Sequence, residues 1–214
     1  MISYQCGTCE GGEPDHAWKY YLKTGVVTGG HYGSGQGCMP YTIRPCQHGS
    51  GGTRPQCTGE GGPTPYCPRS CADGDVMAWS KEKRSGYSAY RVGAGRKVEA
   101  IMSEVIKRGS VQATFYVYSD FLLLRSGVYQ RTTNEMIGGH AVKIVGWGVD
   151  EASGVPYWTA ANSWNTDWVC KFHWKRTSLR GAPAAESHCA PTTLTCAHKL
   201  PDFRVCVYVR LCSG

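Results

Sequence analysis

A histidine and an asparagine carry the clearest chemical signal in the sequence. His140 follows Gly138-Gly139 and opens the strand-like run Ala141-Val142-Lys143-Ile144-Val145-Gly146. Two glycines let the backbone pass close to a neighbour, and the imidazole then stands at the mouth of a strand. Asn162 comes about twenty residues later, in Ala161-Asn162-Ser163-Trp164-Asn165-Thr166-Asp167-Trp168. A carboxamide shielded by indoles can accept the proton on a ring nitrogen and so orient the ring. A histidine alone is more often structural. Across a candidate hairpin from such an Asn, it can be oriented.

Cysteine is the second signal. The chain has 214 residues, 12 of them Cys and 28 Gly, which points to a loop-rich fold pinned by disulfides in an oxidising compartment. Yet Met1-Ile2-Ser3-Tyr4-Gln5-Cys6 has neither a charged n-region nor an apolar h-region and does not read as a signal peptide. Two resolutions stay open: the cysteines bind metal, or the functional protein begins elsewhere. Cys46-Gln47-His48 with Cys57 and Cys67 offers ligands, but no pair of Cys-x-x-Cys motifs accompanies them. No metal and no other cofactor is expected.

Elements must position these groups. Residues 14–24 predict a short helix: Pro14 suits the first turn, Ala17, Tyr20 and Tyr21 share a face, and Gly25 ends it. Residues 29–75 are dense in Gly, Pro and Cys and predict a long, covalently pinned loop region. Residues 97–108 predict the clearest helix, with Val98, Ile101, Met102 and Val105 as its apolar stripe and Gly109 as its stop. The period then falls to two over 111–118, 141–146 and 156–160, with 150–155 as a hairpin loop between the last two. Helices and loops first and an antiparallel sheet second predict an α+β architecture with two unlike halves.

Composition excludes several classes. Hydrophobic residues make up 41% and charged residues 18%, so the chain is neither a disordered tail nor a coiled coil. No apolar run approaches the roughly 18 residues of a membrane span, and no membrane partner is expected. The formal charge is +7, and residues 169–214 hold seven of the 23 Lys+Arg against two of the 16 Asp+Glu. Those basic residues are scattered and lack an aromatic stacking pattern, so no nucleic-acid partner is expected. Only two of the 28 glycines, Gly181 and Gly214, lie in this tail. Two compositions meeting near residue 168 point to a domain boundary or a sequence of different origin, and alternation over 203–210 is too weak to assign a packing role.

The motifs resemble the papain family of cysteine peptidases, and most closely its cathepsin B-like branch. The resemblance rests on Glu10-Gly11-Gly12-Glu13-Pro14 with Ala17-Trp18, Gly37-Cys38-Met39-Pro40-Tyr41, and Arg54-Pro55-Gln56-Cys57-Thr58-Gly59-Glu60-Gly61. It rests equally on Tyr118-Ser119-Asp120-Phe121-Leu122-Leu123, Ser126-Gly127-Val128-Tyr129, Gly146-Trp147-Gly148 and Asn162-Ser163-Trp164-Asn165-Thr166-Asp167-Trp168. It runs over residues 6–168.

The resemblance implies an α+β papain-like two-domain fold, incomplete here. Residues 1–84 would be part of the helical left domain with an occluding-loop-like insertion at 38–71. Residues 85–168 would be most of the antiparallel β-barrel right domain, and 169–214 a divergent tail. It implies His140 as acid/base, Asn162 as the orienting group and Trp164 as its shield. Gly11, Gly12 and Gly139 would meet substrate, and Pro14 and Ala141 would wall the S2 pocket. It pairs Cys38 with Cys71 and Cys46 with Cys57, and places His48 in the occluding loop, with Gly49 where a second histidine would strengthen the grip on a carboxylate. Partners would be peptide or protein substrates and cystatin-like inhibitors, in a lysosomal or extracellular setting.

One part of the family pattern does not match. The nucleophile signature Cys-Gly-Ser/Ala-Cys-Trp/Tyr, preceded by an oxyanion Gln, occurs nowhere in the sequence. Gln5-Cys6-Gly7-Thr8-Cys9 is superficially similar, but Glu10 stands where the aromatic belongs. Cys9 therefore reads as a structural half-cystine rather than a nucleophile. With Cys6 and Cys67 it would find its partner in sequence upstream of this chain. The expectation is an N-terminally truncated, inactive chain of limited stability. The alternatives are a non-catalytic module that binds peptides or inhibitors, and a basic, disulfide-rich secreted protein.

Overall fold

The computed structural model describes residues 7–9, 11–47, 53–57, 64–66, 68–92 and 98–164, together with the backbone of strands 171–175 and 207–209. The chain divides into two compact units that part after Ser88.

The first unit opens with a hairpin of β1 (Gly7–Thr8) and β2 (Gly11–Gly12). Gly7 is at φ +136°, and a Cβ there would come within 2.6 Å of the Gly11 carbonyl oxygen, so only glycine closes this hairpin. Helix α1 (Pro14–Lys23) follows, with Pro14 in its first turn, and ends as expected. The N–H groups of Thr24 and Gly25 cap the Tyr20 carbonyl, and Gly25 turns out at φ +77°. No residue of α1 is fully buried.

The described residues of 29–75 are irregular apart from a two-residue parallel pair, β3 (Gly29–Gly30) with β4 (Met39–Pro40), and an isolated bridge between Gln47 and Gln56. Covalent pins hold them: Cys38–Cys71 and Cys46–Cys57 are both disulfides. Helix α2 (Val76–Glu82) was not anticipated. Its signal is a single residue, Asp75, whose carboxylate accepts the Ala78 N–H at 2.9 Å as an N-cap.

The second unit is a seven-stranded sheet. Strands β5 (Tyr90–Val92), β6 (Val111–Tyr118), β7 (Val128–Tyr129), β8 (Met136–Val149), β9 (Pro156–Ala161), β10 (Lys171–Lys175) and β11 (Val207–Val209) lie in the order β5-β11-β6-β8-β9-β10-β7. All pairs are antiparallel except β10 with the two-residue β7. The tail, to which alternation gave no packing role, thus contributes two strands.

Helix α3 (Val98–Arg108) buries Ile101 against this sheet and ends at Gly109, φ +93°. It also buries Glu104, only 1% exposed, whose carboxylate accepts the Tyr90 hydroxyl at 2.7 Å and pairs with Arg108 at 3.4 Å. A buried charge needs such partners. Burial and the neighbouring Glu104 push the Tyr90 phenol up to about 12.

Alternation decides which side chains face the core. On β6 the odd residues Val111, Ala113, Phe115 and Val117 are buried; on β8 the even residues Val142 and Ile144 are. β8 is longer at both ends than the expected 141–146, with a register shift between Ile144 and Gly146. Trp158, Ala160, Phe121 and Tyr129 complete the core.

Candidate functional site

His140 has the same parity on β8 as Val142 and Ile144, so its ring enters the inner face rather than solvent. It lies opposite Phe115 in the β6–β8 register. The loop Asp150–Val155 returns the chain: the Asp150 N–H bonds the Val155 carbonyl at 2.9 Å, and the Asp150 carboxylate accepts the Ser153 N–H at 2.9 Å. This hairpin was expected, and it pairs β8 with β9 so that Lys143 faces Ala161. Asn162 leaves the end of β9, and its Oδ1 reaches His140 Nε2 at 2.8 Å.

The hydrogen-bond pattern fixes the tautomer. Asn162 Oδ1 also accepts the Ser163 backbone N–H at 2.8 Å. A backbone N–H can only donate, so the atom facing His140 is an oxygen and His140 Nε2 must carry the proton. Nδ1 is then a lone-pair site in the neutral ring and an N–H donor in the imidazolium. Such a ring can take a proton from one group and give it to another. Asn162 Nδ2 is buried with no partner among the described residues. Tolerating that orphan keeps the amide turned toward His140.

Rings enclose the imidazole. Trp164 lies 4.8 Å away at 32°, and Phe115 meets it edge-on at 5.8 Å. Burial among these rings pushes the imidazole pKa below its ordinary value, and the hydrogen bond to Asn162 pulls part of it back.

The comparisons with known proteins bear on the family and the fold. The family model for papain family cysteine proteases matches residues 2–178. The chain belongs to the papain family. Cathepsin B-like cysteine proteinase 4 of Caenorhabditis elegans is 46% identical over 166 residues, 76% of this chain and 48% of that protein. Cathepsin B-like cysteine proteinase 5 of the same organism is 46% identical over 169 residues, with 77% and 48% covered. The chain thus spans about half the length of these papain-family relatives. Among solved structures, procathepsin B S9 from Trypanosoma congolense superposes with a TM-score of 0.63 at 32% identity. That match covers 83% of this chain and 53% of the other. The fold is accordingly an incomplete papain-like α+β fold.

The remaining site residues are placed as follows. Gly139 and Ala141 are exposed on β8 beside His140, and Trp164 is half-buried against it. Gly11 and Gly12 are exposed in β2, and Pro14 is half-buried at the start of α1. His48, Cys6 and Cys67 lie outside the described residues. Cys9 carries a free thiol, and its N–H bonds Thr64 Oγ1 at 2.9 Å. Among the described residues no cluster of His, Cys, Asp and Glu is arranged to hold a metal.

Sequence reasoning assigned no role to Gln47, Phe115, Phe121, Asp120 or Tyr129. Gln47 is 5% exposed and stitches the Cys46–Cys57 loop: its Oε1 accepts the Arg54 N–H, and its carbonyl accepts the Cys57 N–H, both at 3.0 Å. The signal for Phe115 was available, since strand parity places it inward. The other three act across a turn that periodicity does not read.

Proposed function

We propose that the chain is the histidine- and asparagine-bearing part of a cathepsin B-like cysteine peptidase. In this reading a cysteine thiolate attacks the peptide carbonyl, His140 protonates the leaving amine through Nδ1, and Asn162 holds the ring by Nε2. Trp164 shields that hydrogen bond. The observation that carries the reading is the 2.8 Å contact between His140 Nε2 and an amide oxygen of fixed identity. Gly11 and Gly12 would pair with substrate backbone, since β2 is exposed and free of side chains. Gly139, Pro14 and Ala141 would line the bound peptide, with cystatin-like proteins as inhibitors. The setting would be lysosomal or extracellular, in keeping with two disulfides.

The nucleophile is not among these 214 residues in family form, because no Cys-Gly-Ser/Ala-Cys-Trp/Tyr sequence occurs in them. The chain as it stands would therefore bind without turning over. That observation also favours the second reading, a non-catalytic module that presents β2 to peptides or inhibitors. An epoxide probe for thiol proteases tests the first reading: no labelling of the 214-residue chain is expected. Labelling of Cys9 that disappears in His140→Gln would overturn the inactive reading and make Cys9 the nucleophile. Cystatin binding without labelling would favour the second reading.

A further inference from the structure

Both rings that flank His140 rest on one residue. Phe121 meets Phe115 at 5.3 Å and Trp164 at 5.5 Å between centroids, and it is 0% exposed. It lies in the single-turn 3-10 helix Ser119–Leu123, beside Asp120. The Asp120 carboxylate is unusually well occupied. Oδ1 accepts the Tyr129 hydroxyl at 2.6 Å, while Oδ2 accepts the Thr132 N–H at 2.6 Å and the Thr132 hydroxyl at 2.8 Å. Tyr129 packs edge-on against Phe121 at 4.9 Å. One carboxylate thereby ties together the turn that carries Phe121, strand β7, and the segment that leads into β8, the strand of His140.

We infer that Asp120 is a positioning residue: by clamping Tyr129 and Thr132 it locks Phe121, and Phe121 holds the Phe115–Trp164 cage that keeps the His140 imidazole against Asn162. Charge-assisted hydrogen bonds of this length are strong enough to hold such a turn.

The titration behaviour of the clamp fits. Burial pushes the Asp120 carboxyl up, but the bonds from Tyr129 and Thr132 outweigh it and leave the carboxyl below its ordinary value. Burial and Asp120 together push the Tyr129 phenol well above its ordinary value. The clamp thus stays anionic on one side and protonated on the other while an imidazole titrates. Arg131, whose guanidinium lies 4.7 Å over the Tyr118 ring, lowers the Tyr129 phenol slightly, and Tyr118 raises it. The groups in contact with the His140 ring, Asn162, Phe115 and Trp164, do not titrate. Asp120 therefore acts on His140 through packing rather than through its charge.

The inference rests on the reading of His140 as the acid/base group, but its test needs no turnover. In the labelled 214-residue chain, the His140 ring is titrated by NMR, its signal assigned by its loss in His140→Gln. Asp120→Asn removes a negative charge, which alone would lower the ring pKa. A loosened cage admits water, which raises it, and slackens the bond to Asn162, which lowers it; burial is the larger of the two causes, so the rise prevails. We expect a rise of about half a unit. Tyr129→Phe deletes one hydroxyl with no change of charge and should give a smaller rise. An unchanged or lowered ring pKa in Asp120→Asn, with cooperative unfolding retained, overturns the inference. If Asp120→Asn does not fold, Tyr129→Phe decides alone: a rise supports the clamp and no rise overturns it. Failure of the peptidase reading would show in the labelling assay and leave this titration untouched.

Discussion

The two units hold their shapes by different means. In the first, neither helix buries a residue completely, and among the described residues the buried apolar side chains are Cys38 and Cys71, which form one disulfide. In the second, Ile101, Val111, Phe115, Phe121, Ile144 and Trp158 are at most 4% exposed and pack on one continuous sheet. Covalent pins limit the unfolded chain, whereas a packed core stabilises the folded one. The chemistry that can be described sits on the second kind of support, which suits it. An imidazole held to within a hydrogen bond of its partner needs rigid neighbours.

The sharpest way to separate the two is a core truncation. Phe121→Ala should cost about 3–5 kcal/mol, because it opens a cavity between three aromatic rings. Leu123→Ala, two positions away but 72% exposed, should stay within about 0.5 kcal/mol. Denaturant unfolding followed by Trp fluorescence reads both. Equal effects would mean that the second unit has no such core.

Next comes the covalent pin. Replacing Cys38 and Cys71 together by Ala releases a loop of sequence separation 33 and should cost about 2–4 kcal/mol. Hydrogen exchange should show the loss in residues 26–47 and 68–88, with β6, β8 and β9 protected as before. Matching loss in those strands would erase the distinction between the units.

The same contrast explains what the sequence made legible. The helix at 98–108 and the strands at 111–118 and 156–161 follow from period alone, because each buries one face on the sheet. The His140–Asn162 pairing was readable because strand parity and hairpin length fix both ends. Helix α2 was missed because it has no buried face to generate a period; its one sign is the Asp75 cap. The Asp120 clamp was missed for a related reason. Its partners, Tyr129 and Thr132, are joined through a turn, where hydrogen bonds rather than hydrophobic spacing set the geometry. β10 was missed because its segment has neither clear period, and β11 because the alternation over 203–210 is weak.

A smaller effect distinguishes the units by pH. The folded-state pKa of His140 lies below its ordinary value, so at intermediate pH the unfolded chain binds more protons than the folded one. Its contribution to stability is therefore full above about 6.5, the ordinary value, and is lost as pH falls through the folded-state pKa. Melting of the second unit should weaken between pH 7 and pH 5, and His140→Gln should flatten that slope. Asn162→Ala should steepen it, since removing the hydrogen bond that favours the imidazolium lowers the ring pKa further. A slope that survives His140→Gln unchanged would assign it to other groups.

The smallest expected effect lies on the surface of the first unit. Lys19 Nζ bonds Asp15 at 3.1 Å across one turn of α1, but the lysine side chain is 52% exposed. Water screens such a pair, and holding two side chains in one geometry costs entropy. Asp15 also lies in the first turn, where its charge favours the helix whether or not lysine is present. Lys19→Ala should therefore change stability by less than about 0.5 kcal/mol at ordinary salt, partly offset by the higher helix propensity of alanine. Asp15→Ala should cost more than Lys19→Ala, because it loses the helix-end interaction as well. The reverse order in a thermal melt would mean that the Asp15 charge contributes nothing at the helix end.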